Sequence, residues 1–204
     1  MASDAPPPTA TSAFLVLRAY LEARASFSGA DVEHLRRAFQ FRRLAAGDYL
    51  QRAGDAARYA AFVATGCLRN YVIDAKGKEH IIQFAPETWW LADSTSLRDR
   101  TPSPYFFDAI EDSSVMLIDA PSHADLVEHV PGYAAAFRNG LQKHAAAKDE
   151  RIVSNLSASA EERYLQFLET YPSIALRVPQ AMLASYLGMT PETVSRIRKN
   201  LSRR

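Results

Sequence analysis

The spacing of apolar residues changes character twice along the chain. Between residues 13 and 40 it is helical: Phe14, Leu17 and Leu21 share one face of a helix predicted over 13–25. Val32, Leu35 and Phe39 do the same over 29–40, where Ser28 is placed to cap the start. From Phe41 to Asp119 the pattern breaks into short apolar segments, FRRL, DYLQR, YAAFV, LRNYVI, HIIQF, YFFDAI and SVMLID. Turn signals (AAGD, AGD, ATG, DAKGK) separate the first five, and Gly47, Gly54, Gly66 and Gly77 punctuate them. Strands bounded by turns about every 8–12 residues predict a β-sandwich, jelly roll or barrel. After Pro121 the helical period returns, first in PSHADLVEHV and then in a long helix from Pro131 to about Leu156, roughly 40 Å at 1.5 Å per residue. Tyr133, Phe137, Leu141, Ala145, Lys148, Ile152 and Leu156 step along it, and alanines 134–136 and 145–147 permit close approach of another helix. Such a stripe can pack on the barrel, but so long a helix has more face than a small barrel covers, so dimerisation is expected. Residues 157–204 read as three further helices, SASAEERYLQFLETY, VPQAMLASYLG and TPETVSRIRKNL.

Composition narrows the class. A length of 204 residues suits one ordinary domain or two small ones, and 48% hydrophobic with 23% charged residues is globular. The net charge is only +1, so any nucleic-acid footprint has to be a local patch. Cys67 is the only cysteine, which excludes an internal disulfide and any cysteine-ligated zinc or iron–sulfur centre within one chain. It fits a reducing cytoplasm. The start, MASDAPPPTATSAFLVLRAY, has no basic n-region, and its apolar run AFLVL is too short for a signal or a membrane span. With Pro6, Pro7 and Pro8 opposing helix, residues 1–12 read as a disordered leader.

The chemistry concentrates in LASYLGMTPETVSRI. Gly188 can take the left-handed conformation that ends a helix, Thr190 is a good N-cap and Pro191 suits the first helical position. Two helices therefore meet at a tight turn, with Leu183, Leu187, Met189, Val194 and Ile197 between them and small Ala184 at the crossing. This is a helix-turn-helix arrangement. Glu192, Ser195, Arg196 and Lys199 remain outside, at i, i+3, i+4 and i+7. A helix of that kind fits the major groove. Arg196 could donate twice to guanine, and Glu192 could accept from cytosine N4. Thr190, Thr193, Ser195 and Lys199 suit phosphates, while Arg198, Arg203 and Arg204 add salt-sensitive attraction. The competing reading of Glu192 and Arg196 is an i,i+4 pair on a solvated face.

These segments together resemble the Crp/Fnr family of bacterial transcription regulators. AAGDYLQRAGDAARYAAFVATGCLRNYVIDAKGKEHIIQFAPETWWLADS is similar to that family's cyclic-nucleotide-binding-type β-roll, the long helix to its dimer helix, and LGMTPETVSRIRKNL to its recognition motif. The resemblance implies a homodimer that binds a roughly palindromic DNA operator and recruits or blocks RNA polymerase. Glu192 and Arg196 match two base-reading positions of the cyclic-AMP-responsive members, and Pro191 stands where a third is usually arginine. Cyclic-AMP binders in the family place a Gly-Glu pair and a downstream Arg-Ser or Arg-Thr around the phosphate. Here those elements fall on Ala92-Asp93 and Ser103-Pro104, so the candidate effector pocket lacks the bidentate cation a phosphate needs. Cyclic AMP is therefore not expected as the effector, nor is an iron–sulfur cluster, and the effector's identity stays open.

The expected architecture is α+β: a leader over 1–12, a β-roll sensor over 13–130, a dimerisation helix over 131–156 and a helix-turn-helix domain over 157–204 with little or no wing. A metal-dependent cupin enzyme shares the jelly roll, but needs several His and Glu ligands inside it. Only His80 of five histidines lies in the β region, and there is no nucleophile elbow, P-loop or GxGxxG. His80 is expected to have a hydrogen-bond partner, and Trp89 and Trp90 to serve packing. No enzyme and no bound metal is expected. The remaining alternative is a ligand-sensing roll that works through protein partners without touching DNA. These features together predict a cytoplasmic, dimeric DNA-binding regulator.

Overall fold

The computed structural model describes residues 8–202, except the side chains of 140–150 and of 155. The chain begins with α1 (Ala10–Glu22) and α2 (Gly29–Ala38). Helix α1 starts three residues before the expected boundary, because Thr9 and Ser12 form a reciprocal capping box that satisfies the first free N–H groups. The end of the leader expected over 1–12 therefore falls inside α1, and residues 1–7 lie outside the described residues. Ser28 caps α2 as its position suggested.

Strands β1 (Gln40–Leu44), β2 (Tyr49–Gln51), β3 (Ala60–Thr65), β4 (Leu68–Ile73) and β5 (Glu79–Ala85) follow. Next come β6 (Trp90–Leu91), a short helix α3 (Ser94–Asp99), β7 (Phe106–Ala109) and β8 (Ser113–Ile118). They form two antiparallel four-stranded sheets, ordered β1-β8-β3-β6 and β2-β7-β4-β5. Neither β6 nor α3 was foreseen: two and six residues are too few for a period to show.

Alternate residues of one strand serve two different cores. On β3, Ala61 and Val63 point into the roll, whereas Phe62 and Ala64 point outward against α1. On β8, Val115 and Leu117 point inward and Met116 and Ile118 outward. Both faces are covered, which is why YAAFV and SVMLI read as continuous apolar runs without polar alternation. Gly66 turns β3 into β4 at φ +85°, where a Cβ would lie 2.3 Å from Ser113 Oγ and 2.7 Å from the Asp112 carbonyl. No side chain fits there.

Helices α4 (Ala120–His129) and α5 (Pro131–Ser157) run back across the first sheet. Tyr133 and Ala136 of α5 are buried there. Further along, Ile152, Val153 and Leu156 are 59%, 62% and 84% exposed. The apolar stripe thus begins in the core and ends in solvent, and its middle residues Leu141, Ala145 and Lys148 have side chains outside the described set. Three helices complete the chain: α6 (Ala160–Thr170), α7 (Gln180–Leu187) and α8 (Pro191–Leu201).

Candidate nucleic-acid interface

Local chemistry fixes the α7–α8 hairpin. Gly188 adopts φ +63° at the C-terminus of α7, and Met189 N–H returns to the Ala184 carbonyl. Thr190 then caps α8, accepting from Thr193 N–H at 3.3 Å, and Pro191 opens the first turn. Leu183, Ala184, Leu187, Val194 and Ile197 are buried, with Met189 half-buried beside them. Gln180 adds a tie that sequence reasoning missed, its amide donating to the Pro191 carbonyl at 2.5 Å. Its signal was only a polar residue at the start of α7.

The opposite side of α8 is free. Glu192, Ser195, Arg196 and Lys199 are exposed, and with Gln180 and Pro191 they line one shallow, open depression. Among the described residues no ion pair joins Glu192 to Arg196, so the i,i+4 alternative is not the observed state. The Glu192 carboxyl is held below its ordinary pKa by its own backbone N–H and by the Thr190 hydroxyl at the helix start. Thr190 and Thr193 are within hydrogen-bond distance of each other, 3.2 Å between hydroxyls. Arg198 departs from expectation: its guanidinium donates to Tyr164 Oη at 3.0 Å and to the Ala175 carbonyl at 2.9 Å. It braces α8 against α6 and is not available as a loose cation. Arg203 and Arg204 lie outside the described residues.

The hairpin is seated on the second sheet of the roll. Phe84 meets Phe167, Tyr171 and Tyr186 in one core that also holds Tyr71 and Ile81. Ser185 of α7 accepts from Ile81 N–H at 3.1 Å and donates to the Glu79 carbonyl at 2.9 Å. Arg177 pairs with Glu87 at 2.8 Å and with Glu111. Burial raises the Glu87 carboxyl, but the hydrogen bonds and positive charge of Arg177, together with backbone N–H donors at Glu87 and Gly66, outweigh it and hold the pKa below the ordinary carboxylate value.

Two family descriptions match this chain: the cyclic nucleotide-binding domain over residues 41–129 and the Crp-like helix-turn-helix domain over 150–204. The chain belongs to the Crp/Fnr family. It is 26% identical over 162 residues to the fumarate and nitrate reduction regulatory protein of Vibrio cholerae, covering 74% of this chain and 64% of that one. The chain thus spans less than two thirds of that relative's length. It is 27% identical over 154 residues to a probable transcriptional regulator, flp, of Lacticaseibacillus casei, covering 72% of this chain and 70% of that one. Among solved structures, FixK2 from Bradyrhizobium japonicum shares the fold with a TM-score of 0.71 at 21% identity, over 81% of this chain and 85% of that one.

In this Crp/Fnr chain the four residues assigned to the effector pocket divide by environment. Asp93 is buried and caps α3, accepting from Ser96 N–H at 3.1 Å. Ser103 is buried too, its hydroxyl accepting from the Gln51 amide at 2.7 Å and from Tyr105 N–H at 3.2 Å. Ala92 and Pro104 are exposed. Between the sheets, Leu44, Val63, Leu68, Leu91, Phe107 and Leu117 fill the roll. His80 bonds Asp74 at 2.8 Å, the partner expected for a strand histidine. Trp90 packs against Phe62 and Phe39, and Trp89 packs against Tyr171 across to the C-terminal helices.

Proposed function

We propose that this Crp/Fnr-type regulator is a cytoplasmic homodimer that reads a DNA operator with α8 and does not respond to cyclic AMP. The observation that carries the reading is the division of α8: Val194 and Ile197 seal the hairpin while Glu192, Ser195, Arg196 and Lys199 stand together in solvent. In the proposed complex Glu192 and Arg196 contact base edges, and Thr190, Thr193, Ser195 and Lys199 contact phosphates. RNA polymerase is the proposed downstream partner. The exposed Ile152, Val153 and Leu156 support a dimer, since a second copy of α5 would remove them from water. Against cyclic AMP stand the absence of a cation among Ala92, Asp93, Ser103 and Pro104 and the use of Asp93 and Ser103 in internal hydrogen bonds. A cupin-like catalytic role is disfavoured by where the histidines stand: His34 and His129 pair with Asp125 outside the roll, and His123 with Tyr133.

The test is operator selection from a random DNA pool, followed by titration of Arg196→Ala against the selected site and a scrambled one. Loss of one bidentate base contact should cost about 1–3 kcal/mol of discrimination. An unchanged ratio of specific to nonspecific affinity refutes base reading by Arg196, and recovery of no DNA at all favours the partner-protein alternative.

A further inference from the structure

A cavity of about 520 Å³ opens where the first sheet, α5 and the C-terminal helices converge. Its described wall is apolar and carries several aromatic rings, among them Tyr20 and Trp90 from the sensor, Tyr133 and Phe137 from α5, and Tyr171 and Tyr186 from the C-terminal region. Of the four residues first assigned to an effector pocket, only Ala92 borders it. The volume lies within the roughly 300–1,000 Å³ typical of small-molecule sites, and an apolar wall with a few polar groups is their usual composition.

Most polar groups on this wall are already satisfied. Gln83 donates its amide to the Trp90 carbonyl at 3.0 Å, and Asp119 accepts from Ser122 N–H at the start of α4. His123 pairs through Nδ1 with Tyr133 Oη at 2.8 Å, and burial lowers its pKa, which favours the neutral ring. Arg98 pairs with Asp99. Arg151 is the exception. Its terminal nitrogens donate to the carbonyls of Ile81, Ile82 and Tyr186, and its guanidinium stacks 4.0 Å from the Tyr186 ring. Carbonyls orient a guanidinium without neutralising it. Among the described residues no carboxylate pairs with Arg151, and its Nε is buried without any acceptor. The guanidinium is part-buried and borders the cavity, so its charge, which no described carboxylate neutralises, is one that an incoming anion would offset.

We propose that this cavity binds a planar aromatic small molecule carrying one carboxylate, with the rings among the aromatic walls and the carboxylate accepting from Arg151. The site is separate from the roll interior, which is filled by its own apolar side chains. Its position suits an effector. Arg151 holds the β5 edge through Ile81 and the end of α7 through Tyr186, two residues before the Gly188 turn into α8. A carboxylate on Arg151 would change the charge balance at the joint between sensor and hairpin.

The test uses the full chain without DNA, so it is independent of whether α8 reads bases. Benzoate, 2-naphthoate and biphenyl-4-carboxylate are titrated calorimetrically, each beside its carboxamide. Trp89 and Trp90 are the only two tryptophans and both line the cavity, so their fluorescence gives a second readout. At least one carboxylate should bind about tenfold or more tightly than its amide, a difference of about 1.4 kcal/mol for a charge-assisted hydrogen bond. Tryptophan emission should shift in parallel. Arg151→Met should erase the preference while leaving amide affinity in place, and Arg151→Lys should retain part of it. Ala92→Trp, at an exposed rim position, should weaken both members of a pair. Binding of none of the three carboxylates, equal affinity for acid and amide, or a preference that survives Arg151→Met would each overturn the proposal. If Arg151→Met fails to fold, the acid–amide comparison on the unmodified chain decides alone.

Discussion

Replacing Phe84 by alanine tests whether sensor and DNA-binding helices share one core. The ring is fully buried, with centroids 5.2 Å from Tyr186, 6.0 Å from Phe167 and 6.2 Å from Tyr171. All three partners lie on the C-terminal side of the contact. Truncating a buried phenylalanine costs about 3–5 kcal/mol from lost burial and the residual cavity. Each aromatic pair adds about 0.5–1.5 kcal/mol beyond its buried area, which places Phe84→Ala in the upper part of that range, at about 4–5 kcal/mol. For a chain of this size each kcal/mol lowers the melting temperature by about 2–4 °C, giving a drop of roughly 8–20 °C. Strand β5 keeps its pairing with β4 from Leu68–Ala85 to Ile73–Glu79, so the roll itself retains its ladder. The deficit should therefore fall on the contact between units. Scanning calorimetry should show two separated transitions in the variant where the parent shows one. Urea titrations followed by far-ultraviolet dichroism and tryptophan emission should diverge likewise. A loss below about 1 kcal/mol, with one transition retained, would refute a shared core.

Three further outcomes follow from named contacts. Arg177→Met should lower stability at neutral pH by about 1 kcal/mol, the scale for partly exposed pairs. The Glu87 carboxyl is depressed below its ordinary value in the folded chain, so the stability it contributes is present above the usual carboxylate range and is lost as pH falls through the folded value. The gap between parent and variant, read by urea titration, should close as acid protonates the carboxylates, and a gap independent of pH counts against the clamp. Gly66→Ala should cost more than about 2 kcal/mol, because φ +85° disfavours a side chain and the new Cβ would meet Asp112 and Ser113 backbone atoms at 2.7 and 2.8 Å. A thermal melt unchanged from the parent would contradict that geometry. Leu156→Glu, at an 84% exposed position, should leave the fold intact by dichroism and yield a monomer by sedimentation, whereas an unchanged mass would exclude this end of α5 from the dimer contact.

Local signals in the sequence settled the elements whose causes are local. Ser28, Thr190, Pro191 and Gly188 determine helix ends through bonds to residues at most a few positions away, so the hairpin and the exposed set on α8 were legible before any coordinates. The glycine-punctuated strands were legible for the same reason, since positive φ at Gly47, Gly54, Gly66 and Gly77 is a property of single residues. Thr9 and Ser12 carried a local signal that the neighbouring prolines obscured, and α1 starts earlier as a result.

Tertiary structure decided which groups meet across long separations. Arg198 reads as one more cation at a basic end, yet Tyr164 and the Ala175 carbonyl, 34 and 23 positions away, take its donors. Ser185, Arg177 and Arg151 reveal themselves only once α7 lies along β5, because their partners are backbone groups or carboxylates 35 to 106 residues distant. Burial is likewise a property of the assembled layers: Trp89 and Trp90 could be core, joint or cavity wall until both sheets and α5 were placed around them. A hydrogen bond between neighbours in sequence has little entropy of closure to overcome and so leaves a readable pattern. A contact across a hundred residues forms only when the whole chain has folded, and no short stretch of residues encodes it.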